Sequence, residues 1–326
     1  MGFVVVCDSV EGAPCTDVFD GHGQLRLRQS SLGATVMSLA LATPEGDVVE
    51  VIDGYRNGDE LFAGDGARSA VLAPFSNRVA NGQYTWHETT YQLPTNGGDH
   101  ALHGVAHTLS WRLVNHHATH DVAELSFEAT ITPDSLEGYP FNLTLELDMV
   151  LTDSELTWSF KAVNKSEFEA PVGLGWHPYF LPPGGDLSVC RITLPPSHAV
   201  NTDDTLIPLE GEQALEPSKT TSLTLGDDAL DCCFVPDDSA TSPTFTTRLE
   251  APGAPYAVVV EQSGGVVQIF TGEGLATRPR QSVAIEPNEF MPDAFNREAY
   301  QESLALSENA MRTFTAKVRL ERSTLT

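Results

Sequence analysis

The amino-acid sequence predicts an all-β protein, and three observations lead to that class. Runs with period-two alternation or many β-branched residues recur along the whole chain. Turn-forming residues, among them 26 Gly and 21 Pro, separate nearly every pair of runs. The 3.6-residue periodicity of an amphipathic helix is almost absent, and residues 297–304 are the one moderate helical candidate. Many short antiparallel strands joined by such turns indicate a large β-sandwich or barrel.

The predicted strands recur along the chain, and turn residues punctuate nearly every interval between them. Two of them flank residues 152–155, which predicts an antiparallel hairpin. The last run, TFTAKVRLER, is expected to end in the main sheet. In chain order, the predicted strands are residues 24–28, 34–41, 47–52, 122–131, 142–151, 156–163, 190–194, 222–225, 244–249, 256–261, 265–270, 282–285 and 313–322.

The chain shows no linker, no low-complexity tract and no internal repeat. Large all-β folds often reach this length as one unit, so a single domain over residues 1–326 is predicted. Five cysteines form no metal-ligand spacing, and an odd count argues against a disulfide framework.

The net charge is strongly negative and excludes several classes of partner. The chain has 45 Asp and Glu against 18 Lys and Arg, which gives a formal charge of −27. A nucleic-acid partner needs a basic footprint, and an anionic membrane surface needs basic clusters. No stretch approaches the ~20 apolar residues of a membrane span. The start, MGFVVVCDSVEG, does not resemble a secretion signal, so a soluble, cytoplasmic protein is predicted.

Four segments place reactive side chains beside residues that impose special backbone geometry. They are APFSNRVANGQY at 73–84, LHG at 102–104, GLGWHPYF at 173–180 and IEPNEFMPDAFN at 285–296. Prolines restrict the residue before them to extended conformations, and glycines permit close backbone approach. Such segments are typical of strand ends that aim a side chain into a pocket.

His177 and Glu286 are the strongest candidates for acid–base chemistry. His177 precedes a proline among aromatic residues, so it is either fixed at a strand end facing a pocket or partly buried in an aromatic cluster. Glu286 follows the apolar run SVAI, where a carboxylate is either a general base with a tuned pKa or a solvated residue. Glu289 and Asp293 lie close by and stay open as alternatives.

Arg78 and His103 are ambiguous when each is taken alone. The guanidinium of Arg78 offers a fixed fork of donors suited to sugar hydroxyls, yet an arginine before a turn is commonly a surface residue. His103 stands before Gly104 and allows a similar choice between a pocket and a surface position.

Together these segments resemble the aldose 1-epimerase (galactose mutarotase) family, especially its broad branch of related epimerases. The resemblance extends from about residue 26 to residue 320. Its most specific parts are APFSNRV, ALHG, GLGWHPYF and the IEP and PDAFN pieces, in the family's order, with GYPF and ALDCCF in support. It implies a large antiparallel β-sandwich of the supersandwich type, with an open sugar cleft across one sheet.

The resemblance also implies roles for individual residues. His177 corresponds to the general acid that protonates the ring oxygen, and Glu286 to the general base that takes the proton from the anomeric hydroxyl. The remaining positions would bind the sugar substrate, and they are Arg78, His103, Asn77, Asp231 and Phe270. Phe270 is equally well explained as a core residue. Proton transfer is the whole reaction, so no cofactor and no metal are expected.

Departures from the family pattern leave the identity of the aldose open. Ser76 stands where the family often has proline, and Val79 replaces a common isoleucine. The glutamate segment reads EPNEF rather than the Glu-Thr-Gln form of the best-known galactose enzymes. The sequence predicts no particular oligomeric state.

Three competing hypotheses remain at this level. A hexose 6-phosphate substrate would need converging cations, for which Arg278 and Arg280 are candidates. A non-catalytic sugar-binding module could use the same fold. A metal site at His116, His117 and His120 is the third, although this segment is expected to be a polar loop without the one-face geometry of a helical pair.

Overall fold

The protein is described by a computed structural model that covers residues 2–237 and 244–325. Its structure is mostly strands, which confirms the all-β class. The first ten strands are β1 (Val4–Val10), β2 (Ala13–Phe19), β3 (Leu25–Ser30), β4 (Val36–Ala42), β5 (Val48–Glu50), β6 (Ala70–Leu72), β7 (Arg78–Val79), β8 (Gln83–Trp86), β9 (Thr89–Gln92) and β10 (Ala101–Leu102).

The middle and last parts of the chain form most of the main sheet. The middle strands are β11 (Arg112–Ala118), β12 (Ala123–Ile131), β13 (Leu143–Leu151), β14 (Glu155–Asn164), β15 (Ala170–Pro171), β16 (Gly175–His177), β17 (Tyr179–Phe180) and β18 (Arg191–Val200). The last are β19 (Leu215–Thr224), β20 (Asp231–Pro236), β21 (Phe245–Glu250), β22 (Tyr256–Gln262), β23 (Val266–Phe270), β24 (Val283–Asn288), β25 (Ala305–Leu306) and β26 (Met311–Arg322).

Helical structure among the described residues is short. The α-helices are α1 (Gly58–Ala63) and α2 (Gln301–Leu304). The second, together with the 3₁₀ turn before it, confirms the helical candidate at 297–304. None of the described helices has the length and apolar character needed to cross a membrane. The 3₁₀ turns are Asp65–Ala67, Ala80–Gly82, Ala106–Thr108, Gly211–Ala214, Ala294–Asn296 and Glu298–Tyr300.

Two antiparallel sheets account for most of the strands. The smaller runs in simple sequence order from β1 to β5. The larger has the order β11-β12-β13-β14-β26-β22-β21-β18-β20-β23-β24-β16-β6, with β17 beside β24 and β19 beside β18. The predicted hairpin is confirmed, since β13 and β14 pair as far as Leu151 opposite Leu156. In both strands buried and half-exposed positions alternate, as expected for a sheet with one face on the core.

One large apolar cluster fills the space behind these sheets. It draws residues from Phe3 to Leu320, which is consistent with the predicted single domain, although that organisation stays a prediction. Trp158 of β14 and Trp176 of β16 stack within it, with ring centroids 5.2 Å apart and planes 12° from parallel. Trp176 is fully buried, so the strand that carries His177 is anchored in the core one residue earlier.

The loop predicted around the three histidines is wrong for two of them. His116 and His117 belong to β11, where they pair with Leu125 and Glu124 of β12. His120 lies beyond the end of that strand. Over residues 2–237 and 244–325, no group of three or more His, Cys, Asp or Glu side chains is placed to hold a metal ion.

Candidate active site

A cavity of about 320 Å³ lies over neighbouring strands of the larger sheet. All seven residues predicted for the site are in its lining, although they come from six separate regions of the sequence. The complete lining is Gly64, Gly66, Ala67, Asn77, Arg78, Asn96, Leu102, His103, His107, His177, Tyr179, Asp231, Phe270 and Glu286.

Sheet register explains why four of these side chains meet. Strands β20, β23, β24 and β16 are consecutive neighbours in the larger sheet. Asp231 pairs with Phe270 across β20 and β23, and Glu286 pairs with Gln268 across β23 and β24. His177 ends β16, on the far side of β24. The cavity is therefore floored by strand positions rather than by loops, which limits the movement of its side chains.

His177 and Glu286 contact each other in the cavity. The Nε2 atom of His177 lies 3.2 Å from Oε1 of Glu286. Both side chains are almost fully buried, at 6% and 2% exposure, yet both line the cavity. Tyr179 stacks on the His177 ring, with centroids 5.1 Å apart, and restricts its rotation. A base and an acid held at hydrogen-bond distance in one cavity form an arrangement suited to general acid–base chemistry.

Burial shifts the two pKa values in opposite directions. Desolvation lowers the pKa of His177 to about 3, and the positive charges of His107 and Arg68 act in the same direction. Desolvation also raises the pKa of Glu286 well above its ordinary value, and the negative charge of Asp231 adds to this increase. Both shifts favour the neutral forms of the two side chains, with the shared proton on Glu286. The charged pair, with Glu286 ionised and His177 protonated, contains the same number of protons.

His103 is held as a hydrogen-bond donor. Its Nδ1 accepts a hydrogen bond from the backbone N–H of Asn77 at 3.2 Å. Desolvation and the neighbouring charge of His177 lower the pKa of His103 well below its ordinary value, so the ring stays neutral. A neutral imidazole that accepts at Nδ1 has its proton on Nε2. The His103 ring stands edge-on to that of His177, 5.2 Å between centroids.

Gly104 explains the backbone geometry beside His103. A Cβ atom at this position would lie 2.2 Å from the carbonyl oxygen of Ala73, and its φ of 64° is left-handed. His103 and Asn77 also adopt left-handed φ values, of 64° and 56°. The N–H of His103 donates to the carbonyl of Asn77 at 2.9 Å and joins the two turns. Such strained residues persist where the surrounding structure fixes them, as here around the cavity.

Arg78 enters the cavity from a short ladder in which it pairs with Leu102. Its guanidinium makes a 3.5 Å contact with Oδ1 of Asn77. The backbone is fixed from the other side, because the N–H of Asp293 donates to the Arg78 carbonyl at 2.7 Å. The Asp293 carboxylate also accepts from the N–H of Ala80 at 2.9 Å. Asp293 thus supports the arginine loop and lies outside the cavity lining.

Glu289 is the other alternative base, and its surroundings are structural. Its Oε2 accepts a hydrogen bond from the N–H of Leu174 at 2.9 Å and lies 3.6 Å from Arg312. Burial raises the pKa of Glu289 to about 7. Glu289 does not line the cavity, so Glu286 is the glutamate that can meet a ligand there.

Asp231 and Phe270 line the cavity from neighbouring strands, where they pair across β20 and β23. The Asp231 carboxylate accepts a hydrogen bond from the amide of Gln268, and burial raises its pKa. Phe270 is half-buried, lines the cavity and stands edge-on to Tyr179, 6.4 Å between centroids. It is therefore not a fully enclosed core residue, and its ring is available to the apolar face of a ligand.

Arg278 and Arg280 do not line the cavity. Arg278 pairs with Asp53 at 3.1 Å and with Glu60 at 2.9 Å, and thereby ties helix α1 to the sheet. Arg280 pairs with Glu273. The two cations that favoured a phosphorylated sugar are thus engaged elsewhere in the fold.

Sequence reasoning missed several lining residues. Tyr179 stands two positions after His177, inside a motif that had been singled out. Asn96 has a weaker signal, a turn-like TNGG segment. Its side-chain amide accepts a hydrogen bond from the N–H of Leu102 at 2.7 Å and donates one to the Leu102 carbonyl at 3.1 Å. His107 has no signal in the sequence pattern, because only the fold brings it beside the other histidines.

Comparison with known proteins decides the family. The sequence profile described as "Aldose 1-epimerase" matches residues 19–315, which is most of the chain. The chain belongs to the aldose 1-epimerase family. The prediction made from the four segments is thereby confirmed at the level of the family, which comprises enzymes acting on carbohydrates.

Individual relatives of this family member are distant. Galactose mutarotase from Sus scrofa is 28% identical over 188 residues, which are 57% of this chain and 54% of that protein. The match thus spans about half the length of that relative. The uncharacterized protein YihR of Escherichia coli is also 28% identical, over 69% of this chain and 71% of that protein.

Solved structures extend the similarity over the whole fold. The GalM/aldose epimerase homologue from C. elegans superposes with a TM-score of 0.79 and 16% identity, covering 99% of this chain and 100% of that one. Galactose 1-epimerase from Lactobacillus acidophilus gives a TM-score of 0.76 and 14% identity, covering 99% of each chain. These likenesses confirm the predicted galactose mutarotase-like β-sandwich for this member of the family.

Proposed function

We propose that this protein is an aldose 1-epimerase that interconverts the α and β anomers of a free aldose. The observation that supports this most directly is the 3.2 Å contact between His177 and Glu286 inside a cavity. The cavity volume of about 320 Å³ falls within the range of small-molecule sites. Its lining combines hydrogen-bonding side chains with the ring of Phe270, a combination that suits a pyranose.

The proposed reaction needs two coordinated proton movements. Glu286 takes the proton from the anomeric hydroxyl, the C1–O1 bond becomes a carbonyl, and the bond between C1 and the ring oxygen breaks. His177 delivers a proton to that ring oxygen, so the total charge of the His177–Glu286 pair does not change. Rotation about C1–C2 presents the other face of the aldehyde. The same two residues then close the ring with their roles reversed.

The protonation states that burial favours for His177 and Glu286 are those of the open-chain stage of this cycle. Ring opening converts ionised Glu286 and protonated His177 into protonated Glu286 and neutral His177. This is the distribution that burial favours in the free protein. The site therefore stabilises the aldehyde stage, while one proton transfer across the pair prepares it for the next ring opening.

The remaining lining residues supply binding and orientation. In this proposal, Nε2–H of His103 and the guanidinium of Arg78 donate to oxygens on the ring-oxygen side. Asn77 holds the turn that positions both, through its bonds to His103 and Arg78. Asp231 accepts from a sugar hydroxyl, and Phe270 packs against the C–H face of the ring.

Substitution of the two central residues tests the proposal. Glu286→Gln and His177→Asn each remove one proton-transfer group, the first with little change in volume and the second with a smaller, still polar side chain. We expect each to lower kcat/KM for mutarotation by roughly 10²–10⁴-fold, measured by polarimetry over a set of free aldoses. The matched control is Glu289→Gln, which makes the same chemical change outside the cavity and should retain near-normal rates.

Three results would speak against the proposal. Near-normal rates in either central variant, with the fold intact by circular dichroism, would reject these catalytic roles. Tight binding of a sugar with no acceleration of mutarotation would favour a non-catalytic binding module. Faster turnover of glucose 6-phosphate than of glucose would favour the hypothesis of a phosphorylated substrate. A cytoplasmic location stays a prediction.

A further inference from the structure

Strand β1 forms an open edge of the smaller sheet. In the part of the chain that the structure describes, it pairs with β2 and with no other strand. The chain is anchored just before and just after it. The N–H of Phe3 donates to the carbonyl of Thr119 at 2.8 Å, and the Glu11 carboxylate accepts from the N–H of Gly58 at 3.0 Å. Between these anchors every position of β1 is exposed or half-exposed, so the edge is held in place but not covered.

The hairpin with β2 determines which backbone groups of β1 face outward. Antiparallel strands alternate hydrogen-bonded pairs with pairs whose N–H and C=O groups point away from each other. Ser9 stands opposite Pro14, and the Pro14 carbonyl accepts from the N–H of Ser31 on its other side at 2.8 Å. Ser9 and Pro14 are therefore a pair without mutual hydrogen bonds. By the same alternation, the outward-facing backbone groups of β1 belong to Val5, Cys7 and Ser9.

Strand β1 lacks most of the features that protect edge strands from pairing with other chains. Two other long edge strands have several of them, since β11 has a register shift and an arginine, and β19 has two register shifts, a proline and a lysine. By contrast, β1 keeps one register with β2 over seven residue pairs and contains neither proline nor a basic residue. Its one charged residue is Asp8, and Val4 and Val6 are 52% and 40% exposed. The strand is therefore a ready template for another strand.

We propose that β1 pairs antiparallel with β1 of a second copy of this chain, about a twofold axis beside Cys7. Cys7 is the middle residue both of the strand and of its three outward-facing positions. The axis places the two Cys7 residues opposite each other and Val5 of each copy opposite Ser9 of the other, so every outward N–H faces an outward carbonyl. It also places Val4 opposite Val10, which covers exposed apolar surface on both copies. This self-complementarity is what a twofold interface requires, and it favours a second copy over an unrelated strand.

The negative charge of the chain determines when this pairing forms. Each copy carries a formal charge of −27, so repulsion at long range opposes association. Asp8 stands opposite Val6 in the paired strands rather than opposite the second Asp8. Its carboxylate accepts from the N–H of Ser9 at 2.7 Å in the open edge, and the inter-strand bond replaces this contact on pairing. Salt should favour the dimer, because screening weakens the repulsion between the copies.

Sedimentation equilibrium of the whole chain measures the pairing. At pH 7.5, the dimer fraction should rise with protein concentration and between 0.1 and 1 M KCl. Cys7→Pro removes an outward N–H that β2 does not use, and edge strands tolerate proline at such positions. We expect it to lower the association constant by at least about tenfold. The matched control is Cys7→Ser, which keeps the N–H and should dimerise like the unmodified protein. Circular dichroism and the Tm check the fold of both variants.

Disulfide cross-linking tests the register without a proline. Cys7 is exposed, and residues directly opposite in a hydrogen-bonded pair have Cα atoms ~5.5 Å apart, within disulfide reach. Mild oxidation should therefore give a covalent dimer, and Cys7→Ser should give none. The comparison variant combines Cys7→Ser with Ser9→Cys and so moves the thiol two residues along the same exposed edge. Its two thiol-bearing residues would lie ~14 Å apart in the paired strands, so it should cross-link at least ~10-fold more slowly.

Three outcomes would overturn the inference. A protein that stays monomeric up to about 1 mM in 1 M KCl would leave the edge to a strand of another protein. Equal cross-linking rates for the two thiol positions would show random collision instead of one register. A dimer that Cys7→Pro does not weaken would place the interface elsewhere. None of these measurements uses a sugar, so the proposed function stands or falls separately.

Discussion

At the scale of single residues, the central feature is a proton shared by two buried groups. His177 and Glu286 are close enough to titrate as one unit, so pH-dependent activity belongs to the pair rather than to either residue. Protonation of His177 while Glu286 keeps its proton would leave no base. Loss of the shared proton would leave no acid. The active form therefore lies between these two titrations.

The pH dependence of kcat/KM follows from the direction of the two shifts. The pKa of His177 is lowered to about 3, so the rate should fall on acidification only well below pH 6.5, the ordinary histidine value. The pKa of Glu286 is raised, so the alkaline fall should come well above the ordinary glutamate range. We expect rates at pH 5.5 and 6.5 to agree within about twofold, after subtraction of the uncatalysed rate at each pH. An acid limb centred near pH 6.5 would contradict this assignment.

The sequence identified the two central residues but not all of their neighbours. Recognisable motifs contain His177, Glu286, Arg78 and His103. These motifs are visible because the backbone near each residue has a special geometry that requires glycine or proline, and those residue types can be seen in the sequence. His107 lies in a 3₁₀ turn with no such mark. Its place in the cavity results from packing between distant segments, which no local pattern records.

At the scale of elements, the turn at Gly104 determines the position of His103. Gly104→Ala should lower the free energy of unfolding by more than about 3 kcal/mol, since the left-handed conformation costs about 1–2 kcal/mol and the new Cβ would also meet the Ala73 carbonyl at 2.2 Å. The matched control is Gly98→Ala, with φ of 70° and nothing within 4 Å of the new Cβ. Urea unfolding measures both.

Comparing Gly104→Ala with Gly98→Ala separates the cost of backbone strain from the cost of the steric clash with the Ala73 carbonyl. Gly98→Ala should show only the strain, about 1–2 kcal/mol. Gly104→Ala should also reduce mutarotation, because relief of the clash displaces the adjacent His103. Equal losses of stability in the two variants would show that the Ala73 carbonyl moves away at little cost.

Three strands that the sequence pattern missed wholly or in part share a physical property, whereas others that it missed, such as β2, are largely buried. β1 and β11 have only exposed and half-exposed positions, and β19 is similar. A strand without a buried face does not need apolar residues at alternate positions, so the period-two signal is missing from its sequence. By contrast, β13 and β14 alternate along their full length and were predicted within one or two residues. β24 was predicted to end at residue 285, because two polar residues and a proline follow, although all three are buried in the strand.

At the scale of the whole molecule, the excess of acidic residues should make stability depend on salt. With a formal charge of −27, repulsion between carboxylates disfavours the compact state, and screening shortens the Debye length from ~10 Å at 0.1 M to ~3 Å at 1 M salt. We expect the Tm at pH 7.5 to rise between 0.1 and 1 M KCl. Surface ion pairs are weakened by the same screening but contribute little individually.

A control at lower pH separates repulsion from other effects of salt. At pH 5 part of the carboxylates are protonated and the net charge is smaller, since the sequence has an isoelectric point near 4.5. The increase in Tm caused by KCl should then shrink. A Tm at pH 7.5 that stays flat or falls with added KCl would show that repulsion does not limit stability.

Strand β26 lies between β14 and β22 in the middle of the larger sheet, although it comes from residues 311–322. On the ribosome, β14 and β22 are both synthesised before their common partner exists. Each keeps an open hydrogen-bonding edge until residues 311–322 have been synthesised, and such edges invite pairing with other chains. The nascent protein therefore passes through a stage in which two halves of its main sheet await joining, and chaperones that cover strand edges would act at that stage.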